Sequence, residues 1–106
     1  MVGRGEVWLA TLDPARGSEI RKTRPCLVVS PPEMNTHLRT AIVAPLTRGS
    51  QPAPFRIPVR FSGKSGLILL DQIRTVDQQR LVKRLGAISD RTLTTTLASL
   101  QELFAL

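Results

Sequence analysis

The sequence predicts a mainly β domain in which short strands form a small barrel and one C-terminal α-helix packs against it. From residue 6 to residue 88, short apolar runs alternate with turn-forming residues, which is typical of a sheet of roughly five to seven short strands. After Ser89 and Asp90, either of which can cap a helix, apolar residues recur at helical spacing: Leu93, Leu97, Leu100 and Phe104. One amphipathic helix on a strongly curved sheet suggests a small barrel.

The strands are predicted from apolar patterning, and they cover residues 6–12, 25–30, 41–46, 55–61, 66–70 and 81–88. The continuous apolar run at 25–30 is typical of a central strand buried on both faces. Ser30 or Pro31 then starts a short helix that runs through residue 35. Within residues 55–61, apolar and polar side chains alternate, and Pro58 has no N–H to donate to a ladder. This strand is therefore predicted to lie at an edge of the sheet.

Length and composition indicate a single globular domain, residues 1–106, with a polyanionic partner. Lys and Arg outnumber Asp and Glu by 15 to 8, and the formal net charge of +7 on so small a domain favours RNA or DNA. Cys26 is the only cysteine and His37 the only histidine, which excludes an intramolecular disulfide and a Cys/His zinc site. The apolar run around Cys26 predicts a buried, inert thiol. No signal peptide or membrane-spanning stretch is visible, so we expect a cytoplasmic protein.

Several catalytic motifs are excluded by their spacing. Gly63-Lys64-Ser65 is similar to the end of a phosphate-binding loop, but that motif needs a glycine five positions before Gly63, where Pro58 stands. His37 has no evident partner for a Ser/His/Asp set, and the acids are too scattered for a paired-carboxylate signature. We therefore expect no metal and no cofactor. Any chemistry must depend on Arg, Lys, Ser, Thr or an isolated acid.

Three polar segments remain as a candidate site: residues 17–25, 45–47 and 70–75. Pro25 restrains Arg24 to an extended backbone at the mouth of a buried strand, where a guanidinium is held on a rigid element. Thr47 places a hydroxyl at the end of the neighbouring strand. The two connections that adjoin these residues, 13–23 and 47–54, are long for so small a domain, and such loops are often functional.

The same residues also admit purely structural roles. Arg24 could pair with Glu19 or Asp71, and Asp71 could instead form an ion pair with Arg74. Thr47 could simply cap a turn. The few aromatic residues offer little surface for base stacking, because Phe55 and Phe61 are expected in the core, Phe104 in the packing of the helix, and Trp8 in the core as well.

Six blocks of the sequence occur in the order found in one family of toxins. They are Arg4-Gly5-Glu6-Val7-Trp8, Leu12-Asp13-Pro14, Gly17-Ser18-Glu19, Arg24-Pro25 with Leu27-Val28-Val29-Ser30, Ala44-Pro45-Leu46-Thr47, and Asp71-Gln72-Ile73-Arg74-Thr75. In these blocks, over nearly its whole length, the chain resembles the MazF/PemK/Kid toxins. The resemblance implies an SH3-like barrel, a homodimer, and a sequence-specific endoribonuclease that a MazE-type antitoxin neutralises.

Carried over by position, Arg24 matches the catalytic arginine of this family and Thr47 matches its catalytic Thr or Ser. Asp71 matches an aspartate that the Kid branch uses. That branch also uses an arginine two residues before this aspartate and a histidine after the loop glycine, where this chain has Leu69 and Ser18. These departures favour the MazF arrangement, with Arg24 and Thr47 at its centre. Ser18, Glu19 and Asp71 are further candidates for catalysis or substrate orientation.

The resemblance implies a substrate of single-stranded RNA, whose own 2′-hydroxyl is the nucleophile, so that no metal is needed. The products are then a 2′,3′-cyclic phosphate and a 5′-hydroxyl. The basic and polar residues that we expect to contact the RNA are Arg16, Arg21, Lys22, Arg48, Arg56, Arg60, Gln72 and Arg74.

Other functions fit the same charge and size. A non-catalytic nucleic-acid-binding barrel would tolerate the loss of Arg24 and Thr47 with only a partial change in affinity, whereas a nuclease would lose turnover. A catalytically inactive toxin homologue would keep only the dimer and antitoxin interfaces, although both candidate catalytic residues are present here. Gyrase inhibition, which another toxin of the same fold carries out, is a further alternative, because fold does not fix function.

Overall fold

The computed structural model describes residues 2–12, 17, 22–48 and 51–106, and in this part of the chain it forms a curled antiparallel sheet with two α-helices. The strands are β1 (Glu6–Thr11), β2 (Thr23–Val28), β3 (Thr40–Thr47), β4 (Arg56–Phe61), β5 (Lys64–Leu69), β6 (Arg74–Asp77) and β7 (Leu81–Ala87). The helices are α1 (Pro32–His37) and α2 (Asp90–Leu103), and two short 3-10 turns cover Leu70–Gln72 and Gln78–Arg80.

The strand order is β4-β5-β3-β2-β1-β7, and β6 lies beside β3. The long strand β3 pairs with β6 through Thr40–Val43 and with β5 through Leu46 and Thr47, so that it belongs to two parts of the sheet. The sheet curls until its two outer strands meet. Phe61 at the end of β4 packs against Gly86 of β7, and a Cβ at Gly86 would lie only 3.2 Å from the Phe61 ring. A glycine at position 86 therefore allows the ring to pack between the two outer strands.

Buried apolar side chains form two clusters on opposite faces of the sheet. One contains Val7, Leu27, Val59 and Ile68, and α2 packs against it through Leu100. The other contains Ala10, Cys26, Val28, Ala41, Val43 and Val76. Because successive residues of a strand point to opposite faces, β2 contributes Cys26 and Val28 to one cluster and Leu27 to the other. The prediction of a central strand buried on both faces is confirmed.

Helix α2 begins where the sequence predicts. The Ser89 hydroxyl accepts a hydrogen bond from the Thr92 amide and so caps the helix. Leu100 packs on the core as expected, but Phe104 follows the last helical residue and is 72% exposed, so its predicted packing role is wrong. In the described residues no helix is both long and apolar enough to cross a membrane.

The strand predictions differ from the structure mainly at the boundaries and at one short strand. β2 begins two residues before the predicted start and ends at Val28, and α1 continues two residues past residue 35. β4 lies at the edge of the sheet, as Pro58 predicts. Strand β6 was not predicted, because Val76 is its only buried residue and no apolar run marks it.

Candidate active site

Arg24 and Thr47 come together because β2 and β3 are neighbours. The β2–β3 ladder pairs Cys26 with Pro45 and Leu27 with Ala44. Arg24 and Thr47 each lie two residues beyond the last pair of this ladder, and both line the same cavity. Arg24 is exposed and Thr47 half-buried. The structure thus brings together the guanidinium and the hydroxyl that the sequence singles out.

A cavity of about 430 Å³ opens beside this pair. Arg24, Pro25, Thr47 and Arg48 line it where β2 begins and β3 ends. Its remaining lining comes from other elements: Leu46 on β3, Val59 and Phe61 on β4, Ser62 in the turn, Lys64, Ser65 and Gly66 on β5, and Leu85 on β7. The cavity therefore combines a basic rim with an apolar wall that continues the core, and a volume of this size suits a small organic ligand.

Gly66 allows β5 to lie against the backbone of Thr47. A Cβ on Gly66 would collide with the Thr47 carbonyl oxygen and lie 3.3 Å from its carbonyl carbon. Because the obstructing atoms belong to the backbone, no side-chain rotation would relieve the contact. The Thr47 hydroxyl donates a hydrogen bond to the carbonyl oxygen of Arg48 at 3.3 Å. The Thr47 peptide can therefore occupy this position only because residue 66 is a glycine.

The β4–β5 hairpin carries the cavity residues Lys64 and Ser65. Its turn residues Ser62 and Gly63 have φ angles of 53° and 74°, which is the left-handed conformation of the tight turns that connect antiparallel strands. Arg60 donates a hydrogen bond to the Ser65 hydroxyl oxygen at 3.4 Å. Because that oxygen is used as an acceptor, the hydroxyl hydrogen of Ser65 can be donated elsewhere.

Asp71 lies outside the cavity lining and forms a two-point ion pair with Arg56. The guanidinium nitrogens Nε and Nη2 donate to Oδ1 and Oδ2 of the carboxylate at 3.1 Å and 2.9 Å. The hydrogen bonds from Arg56 lower the pKa of Asp71 below its ordinary value, although partial burial opposes the shift. Arg56 stands opposite Leu69 in the β4–β5 ladder. The cation that pairs with Asp71 is therefore Arg56 of β4, which lies across the ladder from Leu69 of β5.

Two further arginines bind the end of β1. Arg74 donates to the carbonyl oxygen of Leu12 at 3.2 Å and Arg80 donates to that of Thr11 at 3.1 Å. The sequence also admits an ion pair between Asp71 and Arg74, but in the structure Asp71 pairs with Arg56 and Arg74 binds Leu12.

Among the predicted RNA contacts, Arg48 lines the cavity, whereas Lys22, Arg56, Arg60, Gln72 and Arg74 lie outside its lining. Arg16, Ser18, Glu19 and Arg21 lie outside the described residues.

The remaining polar and ionisable groups of the core have structural partners. Burial raises the pKa of the Cys26 thiol to about 12, against the opposing charge of Arg74, which agrees with the inert thiol that the sequence predicts. Burial alone would raise the pKa of Glu6, but the hydrogen bonds from the Trp8 indole, the Gly3 amide and Arg84 together lower it. Among the residues described, no three His, Cys, Asp or Glu side chains are grouped so that they could hold a metal ion.

The sequence does not predict seven residues of the cavity lining: Val59, Phe61, Ser62, Lys64, Ser65, Gly66 and Leu85. Phe61 was assigned to the core alone, yet it both packs on the core and lines the cavity. Lys64 and Ser65 belong to a stretch that is similar to the end of a phosphate-binding loop, a motif that Pro58 excludes. A glycine inside a strand often marks a close approach of another backbone, so Gly66 carried a signal that could have found it.

Comparison with known proteins is consistent with this geometry. The family described as PemK-like, MazF-like toxin of type II toxin-antitoxin system matches residues 3–104. The endoribonuclease MazF of Staphylococcus epidermidis is 36% identical over 96 residues, which cover 85% of this chain and 80% of the relative.

Solved structures share the fold. MazF from Deinococcus radiodurans has a TM-score of 0.86 and 24% sequence identity, and the match covers 99% of this chain and 97% of that chain. An endoribonuclease from a mycobacterial species, solved in complex with its cognate antitoxin, has a TM-score of 0.81 and 22% identity over 96% of this chain and 93% of that chain. On the family match and the similarity to its relative, this chain belongs to the PemK-like, MazF-like toxins of type II toxin–antitoxin systems.

Proposed function

We propose that this chain is a metal-independent endoribonuclease that cleaves single-stranded RNA at specific sequences and that a MazE-type antitoxin neutralises. The observation that carries the proposal is the placement of Arg24 and Thr47 side by side at one basic cavity. The relative from Staphylococcus epidermidis, which is named an endoribonuclease, supports the same reaction class. We place the reaction in the cytoplasm.

The proposed reaction uses the 2′-hydroxyl of the RNA as its nucleophile. The 2′-oxygen attacks the adjacent phosphorus, the bond from phosphorus to the 5′-oxygen breaks, and the products are a 2′,3′-cyclic phosphate and a 5′-hydroxyl. The proton lost by the 2′-hydroxyl is matched by the proton that the 5′-oxygen gains. The protein must hold the attacking and leaving oxygens in line and neutralise the charge that develops on the phosphorane.

Arg24 is the residue best suited to stabilise that charge. A guanidinium is permanently cationic at neutral pH and can donate to two phosphate oxygens at once. A guanidinium keeps its proton in proteins and is a poor proton acceptor, so the role that we assign to Arg24 is electrostatic. Arg24 lies on a strand that is paired on both sides, which limits the movement of its backbone.

Thr47 and Asp71 are assigned different roles. The Thr47 hydroxyl lies at the end of β3 and in the cavity. In the proposed complex it leaves its long hydrogen bond to the Arg48 carbonyl oxygen and donates to a non-bridging phosphate oxygen or orients the leaving oxygen. Asp71 is held by two hydrogen bonds from Arg56, which keep it ionised at neutral pH. We assign Asp71 to the positioning of Arg56 for contact with the RNA backbone, outside the reacting centre.

The charge of the chain also suits its proposed protein partner. A net charge of +7 attracts an acidic, partly disordered antitoxin segment that competes with RNA for the same cations. The mycobacterial neighbour is described in complex with its cognate antitoxin. We propose that the toxin is a homodimer whose contact uses exposed apolar surface on one side of the barrel.

Cleavage of a mixed-sequence single-stranded RNA in excess EDTA tests the proposal. The purified protein is compared with Arg24→Ala and Thr47→Ala, and with Arg39→Ala and Thr94→Ala as matched controls on exposed residues outside the cavity. We expect discrete cuts that end in cyclic phosphate, with turnover reduced about 10²-fold to 10³-fold in the two cavity variants. Intact RNA, bound equally well by every variant, would instead favour the non-catalytic binding barrel.

A further inference from the structure

Part of the cavity lining is apolar and has no role in the cleavage of a phosphodiester bond. Cleavage of a phosphodiester needs cations and hydrogen-bond donors, which the rim supplies through Arg24 and Thr47. The same cavity is also lined by the apolar side chains of Val59, Phe61 and Leu85, and an apolar lining contributes nothing to the binding of a charged phosphate. It therefore indicates that a second, apolar part of the ligand enters beside the reacting group.

The shape and material of that wall suit a nucleobase. Phe61 is half-buried: the Cζ and Cε1 atoms of its ring lie close to Gly86, and the residue also lines the cavity. An aromatic ring fixed in this way presents a surface on which a base can pack, and base–aromatic stacking contributes substantially to single-stranded RNA binding. Leu85, which is 36% exposed, extends this apolar surface from β7.

The polar lining is rich in donors. Arg24, Arg48 and Lys64 can only donate, and the Ser65 hydroxyl, which accepts from Arg60, keeps its own hydrogen for donation. Among the described residues that line the cavity, none is an acid or a carboxamide. Such a lining complements base edges with keto oxygens, whereas the amino groups of adenine and cytosine would face cations.

We propose that this cavity is a binding site for a keto base, uracil or guanine, next to the scissile phosphate, and that Lys64 on the β4–β5 hairpin selects it. The inference rests on the proposed function in that RNA is the ligand. Lys64 and Ser65 reach the cavity from β5, which β3 separates from β2 in the sheet. A single nucleotide then contacts both parts of the lining: its base packs on Phe61, and its phosphate binds Arg24 and Thr47.

A comparison of two lysine variants tests the role of Lys64. Lys64→Gln removes the charge, shortens the side chain by one bond and adds an acceptor, and Lys83→Gln makes the same change on β7 outside the cavity lining. Each protein cleaves a randomised single-stranded RNA, and the bases that flank each cut are sequenced. We expect uracil or guanine to be enriched at one flanking position by the wild type and by K83Q, and that enrichment to fall roughly tenfold in K64Q.

A binding measurement separates this inference from the nuclease itself. Oligouridine and oligocytidine of equal length carry the same backbone charge, so nonspecific phosphate binding cancels in the ratio of their affinities. If the wild type cleaves no RNA, the proposed function fails, but a preference for oligouridine that K64Q abolishes and K83Q retains still supports the keto-base site. Equal affinities for the two oligonucleotides, or identical cleavage preferences in K64Q and K83Q, would overturn it.

Discussion

Replacement of Gly66 by alanine perturbs the backbone of Thr47, because the three atoms nearest to the added Cβ are backbone atoms of Thr47 and Arg48. A Cβ at residue 66 would collide with the Thr47 carbonyl oxygen. Ordinary van der Waals contact would be restored only if β5 and the end of β3 separated by roughly 1 Å. Since the colliding atom is backbone, Thr47 itself must move.

That displacement predicts two separate losses for Gly66→Ala. Overpacking of a close contact costs about 1–3 kcal/mol of unfolding free energy. Displacement of a catalytic group by roughly 1 Å lowers turnover by on the order of 10²-fold. Because the collision acts on the Thr47 peptide, kcat should fall more than KM rises, and the movement of Lys64 and Ser65 with β5 adds a smaller rise in KM.

Gly63→Ala is the matched control for this prediction. Gly63 has a φ of 74°, but apart from its two chain neighbours no heavy atom of the described residues lies within 4 Å of the position that a Cβ would take. Alanine there strains the turn by about 1–2 kcal/mol without touching Thr47. Guanidinium denaturation gives the stability of each variant, and RNA cleavage gives kcat and KM. A wild-type kcat in Gly66→Ala, or equal losses of kcat in both variants, would refute the reasoning.

Three more outcomes follow from particular side chains. Removal of the cation in Arg56→Gln should raise the pKa of Asp71 toward its ordinary value, which NMR titration of the carboxyl measures. In the wild type, the lowered pKa stabilises the folded state at every pH above the pKa of Asp71 in the unfolded chain. That stability is lost as the pH falls through the pKa of Asp71 in the folded protein. The Cys26 thiol, with its pKa raised to about 12, should resist alkylation at pH 8 until the chain unfolds, and rapid labelling of the folded protein would contradict its burial. Ser30→Ala removes hydrogen bonds to Asn35 and to the Ile42 amide, so urea denaturation should show a loss of about 1–3 kcal/mol with RNA cleavage preserved.

Much of the fold follows from apolar patterning because most strands bury several side chains. The run at residues 25–30 marks β2, and the alternation at residues 55–61 with Pro58 marks β4 as an edge strand. Strand β6 buries only Val76 and is held through its pairing with β3, which is distant in sequence. Phe104 continues the helical spacing but lies just past the end of α2, where no partner surface receives it in the described chain.

The site was only partly predictable, because tertiary contacts determine which residues share the cavity. Arg24 and Thr47 were proposed from motifs and family resemblance, and the β2–β3 register explains why they meet. The pairing of Arg56 with Asp71 was not predicted, since the two residues are 15 positions apart and come together only through the β4–β5 ladder and the turn after it. The roles of Phe61 and Lys64 depend on the closure of the sheet and on the hairpin turn, which composition does not reveal.

The central claim is that RNA supplies the nucleophile at a cavity containing Arg24 and Thr47. Once a cleavage site has been mapped, the most direct measurement compares the all-RNA oligonucleotide with one that carries a single 2′-deoxy nucleotide on the 5′ side of the scissile phosphate, in excess EDTA. The proposed mechanism predicts that the deoxy substitution abolishes cleavage at that site, while binding persists and cuts elsewhere are unaffected. Continued cleavage at the substituted position would contradict it.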